Sequence, residues 1–406
     1  MEELLTITEV CNLLKVHPNT LRNWDKQGLL TAVRIGVRGD RRYLKQDIVD
    51  LASSNIDMRE NSGPTVLDLF SGCGGLSYGF EMAGFKVLAG VDNWDDALKT
   101  FKYNHKNSRI HNLDLFNFNL EEFEDTANYK GKVDVIVGGP PCQGFSIAGH
   151  RLKDDPRNSL YKAFVDFVEF YKPKVFLLEN VPNILAMDGG SIRDGIIKDF
   201  EALGYMITYK KLLASDYGVP QSRRRAVFVG SKKGTFEFPE ASFSRPVTSK
   251  EAISDLPENT LQDGAAYVSE PLSDYQRIMR EASSGIYNHV ATVHTYTTQS
   301  IISLVPDGKN FKSLPRELQN TRKVNIAWTR INSQKPSMTI DTGHNHHFHY
   351  QFNRVPTARE SARLQSFPDN FIFLGGKTSQ LKQIGNAVPP LMAKVLAKEI
   401  KEQYEL

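Results

Sequence analysis

From residue 65 onward, short apolar runs alternate with stretches of helical pattern, and this alternation constrains the fold more than any other feature of the chain. The apolar runs have the length of β-strands and lie at residues 65–70, 86–91, 133–137, 175–178 and 226–229. Helical patterns lie at residues 76–83, 161–171, 357–365 and 391–402. Apolar strands without polar alternation are typical of sheets that are buried on both faces. The sequence therefore predicts an α/β domain with a doubly wound, mostly parallel sheet.

The alternation is absent from two regions, which indicates further domains in this chain of 406 residues. Residues 236–340 are polar, with irregular Pro and Gly and no clear period, and we interpret them as an inserted domain. We expect residues 1–57 to form a small helical unit and residues 58–64 a linker. Residues 65–235 would form the main domain, to which the chain returns at residues 341–406.

The N-terminal unit combines helical patterns with a basic ribbon. We expect Thr8 to cap a first helix, and Asn19 or Thr20 to start a second one that closes at Gly28. The ribbon at residues 33–43 follows, and then a helix at residues 46–52. Residues 15–45 contain eight Lys or Arg against two Asp, although the net charge of the chain is only +3. This pattern predicts a helix-turn-helix with a wing and a local DNA-binding surface.

The composition of the chain indicates the cellular compartment in which the protein works and the kinds of site it lacks. The three cysteines, Cys11, Cys73 and Cys142, are too few and too scattered for a disulfide framework or a zinc site. The histidine-rich residues 344–349 lack partners at the usual ligand spacing, so we predict no functional metal. No apolar run approaches the length of a membrane span, and the first 14 residues do not have the pattern of a signal peptide. We therefore expect a cytoplasmic protein in a reducing compartment.

A glycine-rich turn follows the first predicted strand. Residues 68–76 read Asp-Leu-Phe-Ser-Gly-Cys-Gly-Gly-Leu, and Asp92 ends the next strand. Glycines at the carboxyl end of a parallel strand let a cofactor approach the backbone, and an acid about 20 residues later can bind a ribose diol. The turn lacks the lysine of a P-loop, so phosphate binding is not favoured. The pattern fits a nucleotide, dinucleotide or adenosyl cofactor.

A cysteine is presented at the end of another predicted strand. Residues 138–146 read Gly-Gly-Pro-Pro-Cys-Gln-Gly-Phe-Ser, in which the prolines stiffen the loop and the glycines permit close packing. We interpret Cys142 as a reactive thiol because it lies at the carboxyl edge of the sheet. Glu179 ends a further strand, would face the same crevice, and suits protonation of a ring nitrogen. Arg223 and Arg225 stand at alternate positions of the next strand and are expected to act together on one face.

Taken in order, these motifs resemble those of the bacterial DNA (cytosine-5)-methyltransferases. The resemblance covers nearly everything from residue 65 onward except the inserted region, and it is carried by residues 68–75, 92, 140–146, 179–181, 221–225, 359–368 and 385–390. It implies the fold of S-adenosylmethionine-dependent methyltransferases with a target-recognition domain at residues 236–340. It also implies methylation of cytosine carbon 5 in double-stranded DNA, with S-adenosyl-L-methionine as donor, in a restriction-modification system. An RNA cytosine-5 methyltransferase and a mainly regulatory DNA-binding protein are the alternatives.

The resemblance also assigns roles to residues. Cys142 would be the nucleophile, Glu179 the partner of cytosine N3 and Arg225 a contact to the flipped base, with Arg223 and Gln143 beside them. The implied cofactor-binding residues are Phe70, Ser71, Gly72, Gly74, Gly75, Leu76, Asp92, Asn93, Asp114, Leu115, Pro140, Leu160, Asn386 and Val388. The resemblance also implies DNA-binding roles for Ser146 and Arg354, and Arg354 would organise the target-recognition domain. Asn93 departs from the family, many members of which place a larger side chain beside the adenine, and Trp94 is the alternative.

Residues 5–10, 19–24 and 41–43 resemble the winged helix-turn-helix of the MerR and excisionase group. The residues implied in DNA contacts are Arg22, Asn23 and Lys26 in the major groove and Arg34, Arg38 and Arg41 on the backbone. We hypothesise that this unit binds an operator and regulates the modification system, and general DNA affinity is the alternative. We expect the enzyme to act on its methylation site as a monomer.

The chemistry of the implied reaction explains these residue types. Carbon 5 of cytosine is a poor nucleophile, and thiolate attack at carbon 6 raises the electron density at carbon 5. A group at N3 offsets the negative charge that forms there. Because the reacting carbon is inaccessible in a stacked duplex, the cytosine must flip out. We expect residues 143–146 and the inserted domain to stabilise the flipped base and the gap it leaves.

Overall fold

The computed structural model describes residues 4–14, 18, 21, 25, 30, 32–35, 40–48, 63–141, 159–241, 245–319, 328–343 and 346–406. The chain forms two compact units, one of residues 1–63 with 119–128 and one of residues 64–118 with 129–406. Seven residues with predicted site roles lie outside the described residues: Arg22, Asn23, Lys26, Arg38, Cys142, Gln143 and Ser146. Asn19, Thr20 and Gly28, the predicted bounds of the second helix, lie outside them as well.

The N-terminal unit contains a three-stranded antiparallel sheet in the order β1-β3-β2. Its elements are β1 (Leu4–Thr6), α1 (Ile7–Leu14), β2 (Val33–Ile35) and β3 (Asp40–Leu44). The β2–β3 hairpin is the predicted basic ribbon. The helix begins earlier than predicted, because Thr6 rather than Thr8 caps it: Glu9 N–H donates to Thr6 Oγ1 (3.2 Å), and Thr6 N–H donates to Glu9 Oε2 (2.7 Å). Among the residues described in this unit, Val10, Leu21, Leu30, Tyr43 and Ile48 form a buried apolar core.

A seven-stranded sheet in the order β6-β5-β4-β7-β8-β10-β9 forms the centre of the second unit. Its strands are β4 (Thr65–Leu69), β5 (Lys86–Asp92), β6 (Arg109–Asn112), β7 (Val135–Gly138), β8 (Val175–Asn180), β9 (Met206–Leu213) and β10 (Arg224–Ser231). The five predicted strands are confirmed. The sequence did not predict β6 and β9, because both lie at edges of the sheet, where one flank stays polar and no continuous apolar run forms.

Only β10 runs against the other strands of this sheet. It pairs antiparallel with both β8 and β9, whereas the β4–β5, β4–β7, β5–β6 and β7–β8 pairs are parallel. The chain proceeds outward from β4 to β6 and then restarts at β7, on the other side of β4. The crevice of such a sheet lies outside the carboxyl ends of the two strands at the switch point, here Leu69 of β4 and Gly138 of β7.

Helices cover both faces of this sheet, as alternate side chains of β8 show. The helices of this unit up to β10 are α2 (Gly75–Met82), α3 (Asp95–Asn104), α5 (Ser159–Tyr171) and α6 (Ser191–Ala202). The helix between α3 and α5 in the chain, α4 (Leu120–Ala127), belongs to the first compact unit. Val175 and Leu177 join a core with α2, whereas Phe176 stacks on Phe200 of α6, with 4.1 Å between the ring centroids. The predicted doubly wound, mostly parallel architecture is thus confirmed.

The region after β10 is built mostly from short elements, and the C-terminal helix returns to the core that Val175 and Leu177 join. The elements are α7 (Ser249–Ile253), α8 (Asp274–Arg280), α9 (Tyr296–Ser303), α10 (Arg316–Gln319), β11 (Thr329–Arg330), β12 (His347–Phe348), α11 (Ala358–Leu364), α12 (Lys377–Asn386) and α13 (Pro390–Tyr404). At Gly79 of α2, a Cβ would lie 2.3 Å from the Cβ of Ala393, so glycine lets α13 approach α2 closely.

One segment of this region has a small core of its own, formed by Ile302, Val305, Leu314, Trp328, Phe348 and Val355. We call residues 290–355 the small lobe. Arg330 ties it together from within: its guanidinium donates to the carbonyl oxygens of Ile302 and Val305 (both 2.6 Å) and of His349 (2.9 Å). By contrast, α7 and α8 pack with α11 and α12. The separate core is formed by residues between 302 and 355, and the inserted domain at residues 236–340 stays a prediction. Among the described residues, no helix combines the length and the apolar character needed to cross a membrane.

Candidate active site

The glycine turn after β4 leaves space around Gly72 but is tightly packed around Gly75. Phe70, Gly72 and Gly74 have φ angles of 56°, 53° and 94°. No heavy atom of the described residues lies within 4 Å of the position that a Cβ on Gly72 would take, whereas a Cβ on Gly75 would lie 2.4 Å from the carbonyl oxygen of Val388. The turn is therefore fixed against the residues that follow α12, while its backbone at Gly72 is accessible to a ligand.

Asp92 at the end of β5 holds both this turn and the start of α3. Its Oδ2 accepts from Gly72 N–H (2.8 Å), and its Oδ1 accepts from Trp94 N–H (2.9 Å). Burial raises the pKa of this carboxyl, and the backbone N–H groups around it act in the opposite direction. Each oxygen retains a lone pair for a further donor. The Nζ of Lys382, on α12, lies 4.7 Å from the centroid of the Trp94 ring.

The other predicted cofactor residues follow the strands on either side of the crevice. Asp114 is exposed after β6 and accepts at Oδ1 from Phe116 N–H (3.1 Å), and Leu113 N–H donates to Asp92 O (2.9 Å). Of the remaining ones, Ser71, Leu76, Leu115, Pro140 and Val388 are buried, Leu160 is half-buried, and Asn93 and Asn386 are exposed. The carboxyl ends of neighbouring parallel strands thus bring most of these residues to one edge of the sheet.

Glu179 lies beside the first residues of the cysteine loop. A Cβ on Gly139 would be 3.0 Å from Glu179 Oε2, and the neighbouring Asn180 donates through Nδ2 to the carbonyl oxygen of Pro140 (2.9 Å). Arg225 Nε pairs with Glu179 Oε1 at 2.7 Å, and only 14% and 11% of the two side chains are exposed. Because β10 is antiparallel, its first residues lie at the carboxyl edge of β8, which makes this pair possible.

Arg223 does not share a strand face with Arg225, contrary to the strand alternation that the sequence predicted. It precedes β10, in a segment where Ser222 N–H donates to Ser337 O (2.8 Å). Its guanidinium is buried and donates through Nη2 to the carbonyl oxygen of Gly385 (2.9 Å). Burial, together with the charge of Arg225, lowers the pKa of Arg223 to about 9. Arg223 thus links the base of β10 to the segment that carries Asn386.

The remaining predicted residues form ion pairs within the protein. Arg354 is buried and binds both carboxylate oxygens of Glu360, through Nη1 (2.8 Å) and Nη2 (2.7 Å). This arrangement suits an organising role more than a direct DNA contact. Arg41 Nε lies 2.9 Å and Arg34 Nη2 3.7 Å from Asp25 Oδ2, and both arginines retain exposed surface. In the part of the chain that the structure describes, no group of three or more His, Cys, Asp or Glu side chains could hold a metal ion.

Sequence analysis assigned no role to Asp68, a buried acid beneath the glycine turn. Its Oδ2 accepts from Ser77 Oγ (2.5 Å), and burial raises the pKa of Asp68 to about 7. In the sequence, Asp68 is marked by its position as an acidic residue within an otherwise apolar strand. Asp68 connects β4 to α2 on either side of the turn, so it fixes the shape of the turn from below.

The pKa of Asp68 makes the stability of the fold depend on pH. An acid that keeps its proton in the folded state but loses it in the unfolded state favours unfolding as the pH rises. Because the pKa of Asp68 is about 7 in the folded state and 3.8 for an ordinary aspartate, this loss develops from about pH 4 to pH 7. We expect the Asp68→Asn variant, whose side chain cannot ionise, not to show this loss of stability as the pH rises. Urea unfolding of both proteins at about pH 5 and pH 8 measures this difference. A stability difference that does not change with pH would contradict the expectation.

The sheet order, the glycine turn and the acid after β5 define a methyltransferase-type α/β fold, and the comparisons with known proteins identify the family. Residues 64–402 match the family model of the C-5 cytosine-specific DNA methylases, and residues 4–55 match that of a helix-turn-helix domain. The chain therefore belongs to the C-5 cytosine-specific DNA methylase family and carries an N-terminal helix-turn-helix domain.

Individual relatives agree with this assignment. The chain is 38% identical to the type II methyltransferase M.DdeI of Desulfomicrobium norvegicum, over 84% of this chain and 89% of the relative. It is 29% identical to the type II methyltransferase M.Eco47II of Escherichia coli, over 98% of this chain and 96% of the relative. A crystal structure from E. coli, described as a prophage-encoded DNA modification methyltransferase, superimposes with a TM-score of 0.70 at 29% identity, over 85% of this chain and 100% of that one.

Proposed function

We propose that this protein methylates carbon 5 of cytosine within one short sequence of double-stranded DNA, as the modification enzyme of a restriction-modification system. The observation that carries the proposal is the Glu179–Arg225 pair: Glu179 lies beside Gly139, and the neighbouring Asn180 donates to Pro140 O, two residues before Cys142 in the sequence. It combines a carboxyl group and a guanidinium, which together can recognise the N3 and O2 edge of a pyrimidine. The names of the type II methyltransferase relatives support the biological setting.

The glycine turn fits S-adenosyl-L-methionine. Its backbone is open at Gly72, and the buried hydroxyl of Ser71 has no hydrogen-bond partner among the described residues. Asp92 would bind the ribose and Asp114 the adenine amino group, while Asn386 and Val388 would close the site from the other side. When bound, this cofactor supplies the methyl group and, through its sulfonium, the driving force for transfer.

The residues of the chain then perform the activation of cytosine. The Cys142 thiolate forms a bond to carbon 6, and the electron pair of the 5,6 double bond shifts toward carbon 5 and the ring. Glu179 stabilises the ring at N3, and Arg225 both orients this carboxyl group and offsets negative charge near O2. Carbon 5 takes the methyl group and then loses its proton to a base, and the returning electron pair expels the Cys142 thiolate. We infer that the cytosine flips out of the duplex for this chemistry and that one monomer acts on each site.

Bisulfite sequencing of host DNA tests the proposal. We expect a strain that expresses the intact chain to contain 5-methylcytosine in one short sequence context, and a strain with an empty vector to lack it. The absence of 5-methylcytosine from DNA, together with its presence in RNA of the expressing strain, would support the RNA methyltransferase alternative instead.

Trp94, rather than Asn93, is our candidate for the aromatic wall beside the adenine. Lys382 lies over the Trp94 ring, and Asn386 stands one turn later on the same face of α12, next to the proposed cofactor site. We expect binding of S-adenosylhomocysteine to change the tryptophan fluorescence of the unaltered protein. The same ligand should leave the fluorescence of the Trp94→Phe variant unchanged. We also expect Trp94→Ala to weaken its binding about five- to tenfold in calorimetry, by loss of stacking. If Asn93→Ala weakens binding and Trp94→Ala does not, the assignment of Trp94 is wrong.

We also propose that the helix-turn-helix domain binds an operator that controls the modification system. The family match over residues 4–55 and the exposed arginines of the β2–β3 hairpin support DNA binding by this unit. DNase footprinting of the upstream region of the gene should show a protected site with the full chain. The same footprint with a chain that lacks residues 1–57 would contradict operator binding by this domain.

A further inference from the structure

A long stretch without charge leads into the small lobe, and the residues that follow it include Lys309, Lys312 and Arg316 together with Asp307 and Glu317. Residues 282–306 contain no Asp, Glu, Lys or Arg, although 24% of the whole chain is charged. Within this stretch, Val293 is 94% and Tyr296 is 85% exposed. Large apolar side chains at such exposure lose free energy in water, and on a monomer surface they indicate a binding site where they cluster.

The exposed pair is held rigidly. His294, between the two, turns inward, where its Nε2 accepts from Val355 N–H (3.3 Å). Thr295 caps α9 by accepting at Oγ1 from Thr298 N–H (3.3 Å), and Ile302 at the other end of α9 is fully buried in the core of the small lobe. A side chain on a preorganised element pays less conformational entropy on binding than one on a loose loop. Because the residues around Val293 and Tyr296 are anchored in this way, the two exposed side chains would lose little backbone entropy on binding.

The chemistry around this pair matches the two parts of a DNA surface. Thr297 and Gln299, exposed beside Tyr296, offer hydroxyl and amide groups that can read base edges. The exposed side chains of Lys309, Lys312 and Arg316 follow in the same lobe and suit phosphate. Contacts to bases give sequence preference, whereas contacts to phosphates give affinity without it. The chain thus supplies exposed uncharged side chains for base contacts and, a few residues later, exposed cations for phosphate contacts.

We propose that residues 293–299 form the base-reading edge of this enzyme, with Val293 and Tyr296 packed against bases next to the target cytosine, and that Lys309, Lys312 and Arg316 bind the adjacent phosphates. This inference rests on the proposed function, because the partner is the duplex that contains the methylation site. Apolar and aromatic side chains that enter a groove stabilise a duplex that has lost a stacked base.

The test compares binding of two duplexes, one with the sequence context found by bisulfite sequencing and one with that context scrambled. We expect Val293→Ala with Tyr296→Ala to reduce the preference for the first duplex about ten- to a hundredfold, with unchanged affinity for the second. We expect Lys309→Ala with Lys312→Ala to weaken binding of both duplexes alike and to reduce the slope of log K against log salt by roughly two. Val268→Ala and Tyr103→Ala, at sites 73% and 50% exposed, serve as matched controls and should change neither quantity.

The outcomes separate the two proposals. If the unaltered protein neither methylates cytosine nor prefers any duplex, the proposed function fails. If it does both, and the Val293 and Tyr296 changes alter both affinities equally or not at all, the base-reading edge is wrong while the proposed function stands. A loss of preference from the lysine changes would likewise overturn the division of roles. Thermal unfolding of each variant shows whether it is folded, which we expect because the replaced side chains are exposed.

Discussion

Cys142→Ser lowers the rate of methyl transfer to duplex DNA by about 10⁴-fold or more, to the limit of detection, if Cys142 is the nucleophile. The physical reason is that a serine hydroxyl ionises far less readily than a thiol, so that almost no anion is available to attack carbon 6. Single-turnover transfer of a radioactive methyl group to a duplex that contains the recognised site measures the loss.

A duplex with fluorine at carbon 5 of the target cytosine provides a second measurement for this prediction. Carbon 5 then has no proton to lose after methyl transfer, so the bond from Cys142 to carbon 6 persists. We expect a covalent protein–DNA complex in a denaturing gel with the unaltered protein and none with Cys142→Ser. Cys11→Ser, in the N-terminal unit, is the matched control and should behave like the unaltered protein. A covalent complex with Cys142→Ser but not with Cys11→Ser would show that the nucleophile has been misassigned.

Glu179→Gln lowers kcat about 10²- to 10⁴-fold, because glutamine can accept or donate a hydrogen bond at N3 but cannot supply a proton there. The change keeps the size of the side chain and leaves the guanidinium of Arg225, now 2.7 Å from an oxygen of Glu179, without its anion. We expect the KM for S-adenosylmethionine to stay within about twofold, since Glu179 does not lie in the glycine turn. Steady-state kinetics with separate variation of DNA and cofactor measures both.

The partnership of Glu179 with Arg225 can be examined independently. If the two side chains act as one unit, the losses caused by Glu179→Gln and Arg225→Met will not add in the double variant. Glu169→Gln, on the exposed surface of α5, is the matched control for the loss of one carboxylate. Additive losses, or an unchanged kcat in Glu179→Gln, would show that the pair observed in the structure does not take part in activation of the base.

Sequence alone determined the features of this protein that depend on residues close together in the chain. The apolar runs predicted β4, β5, β7, β8 and the centre of β10, because a strand buried on both faces needs a continuous apolar run wherever it lies in the sheet. The position of the glycine turn directly after β4 followed in the same way. So did the expectation that Glu179 would stand at the end of β8, where the structure places it.

Only the tertiary structure decided which of these residues meet. Arg225 reaches Glu179 because β10 is antiparallel, and no pattern within β10 encodes its direction. Arg223 instead reaches Gly385, 162 residues later in the chain. The sequence also did not show that α7 and α8 pack with α11 and α12, because both helices are polar in sequence and their packing partners lie about 80 to 130 residues later in the chain. Local periodicity reports the burial of a segment, whereas strand direction and the pairing of distant side chains depend on packing of the whole chain, which a single sequence does not display.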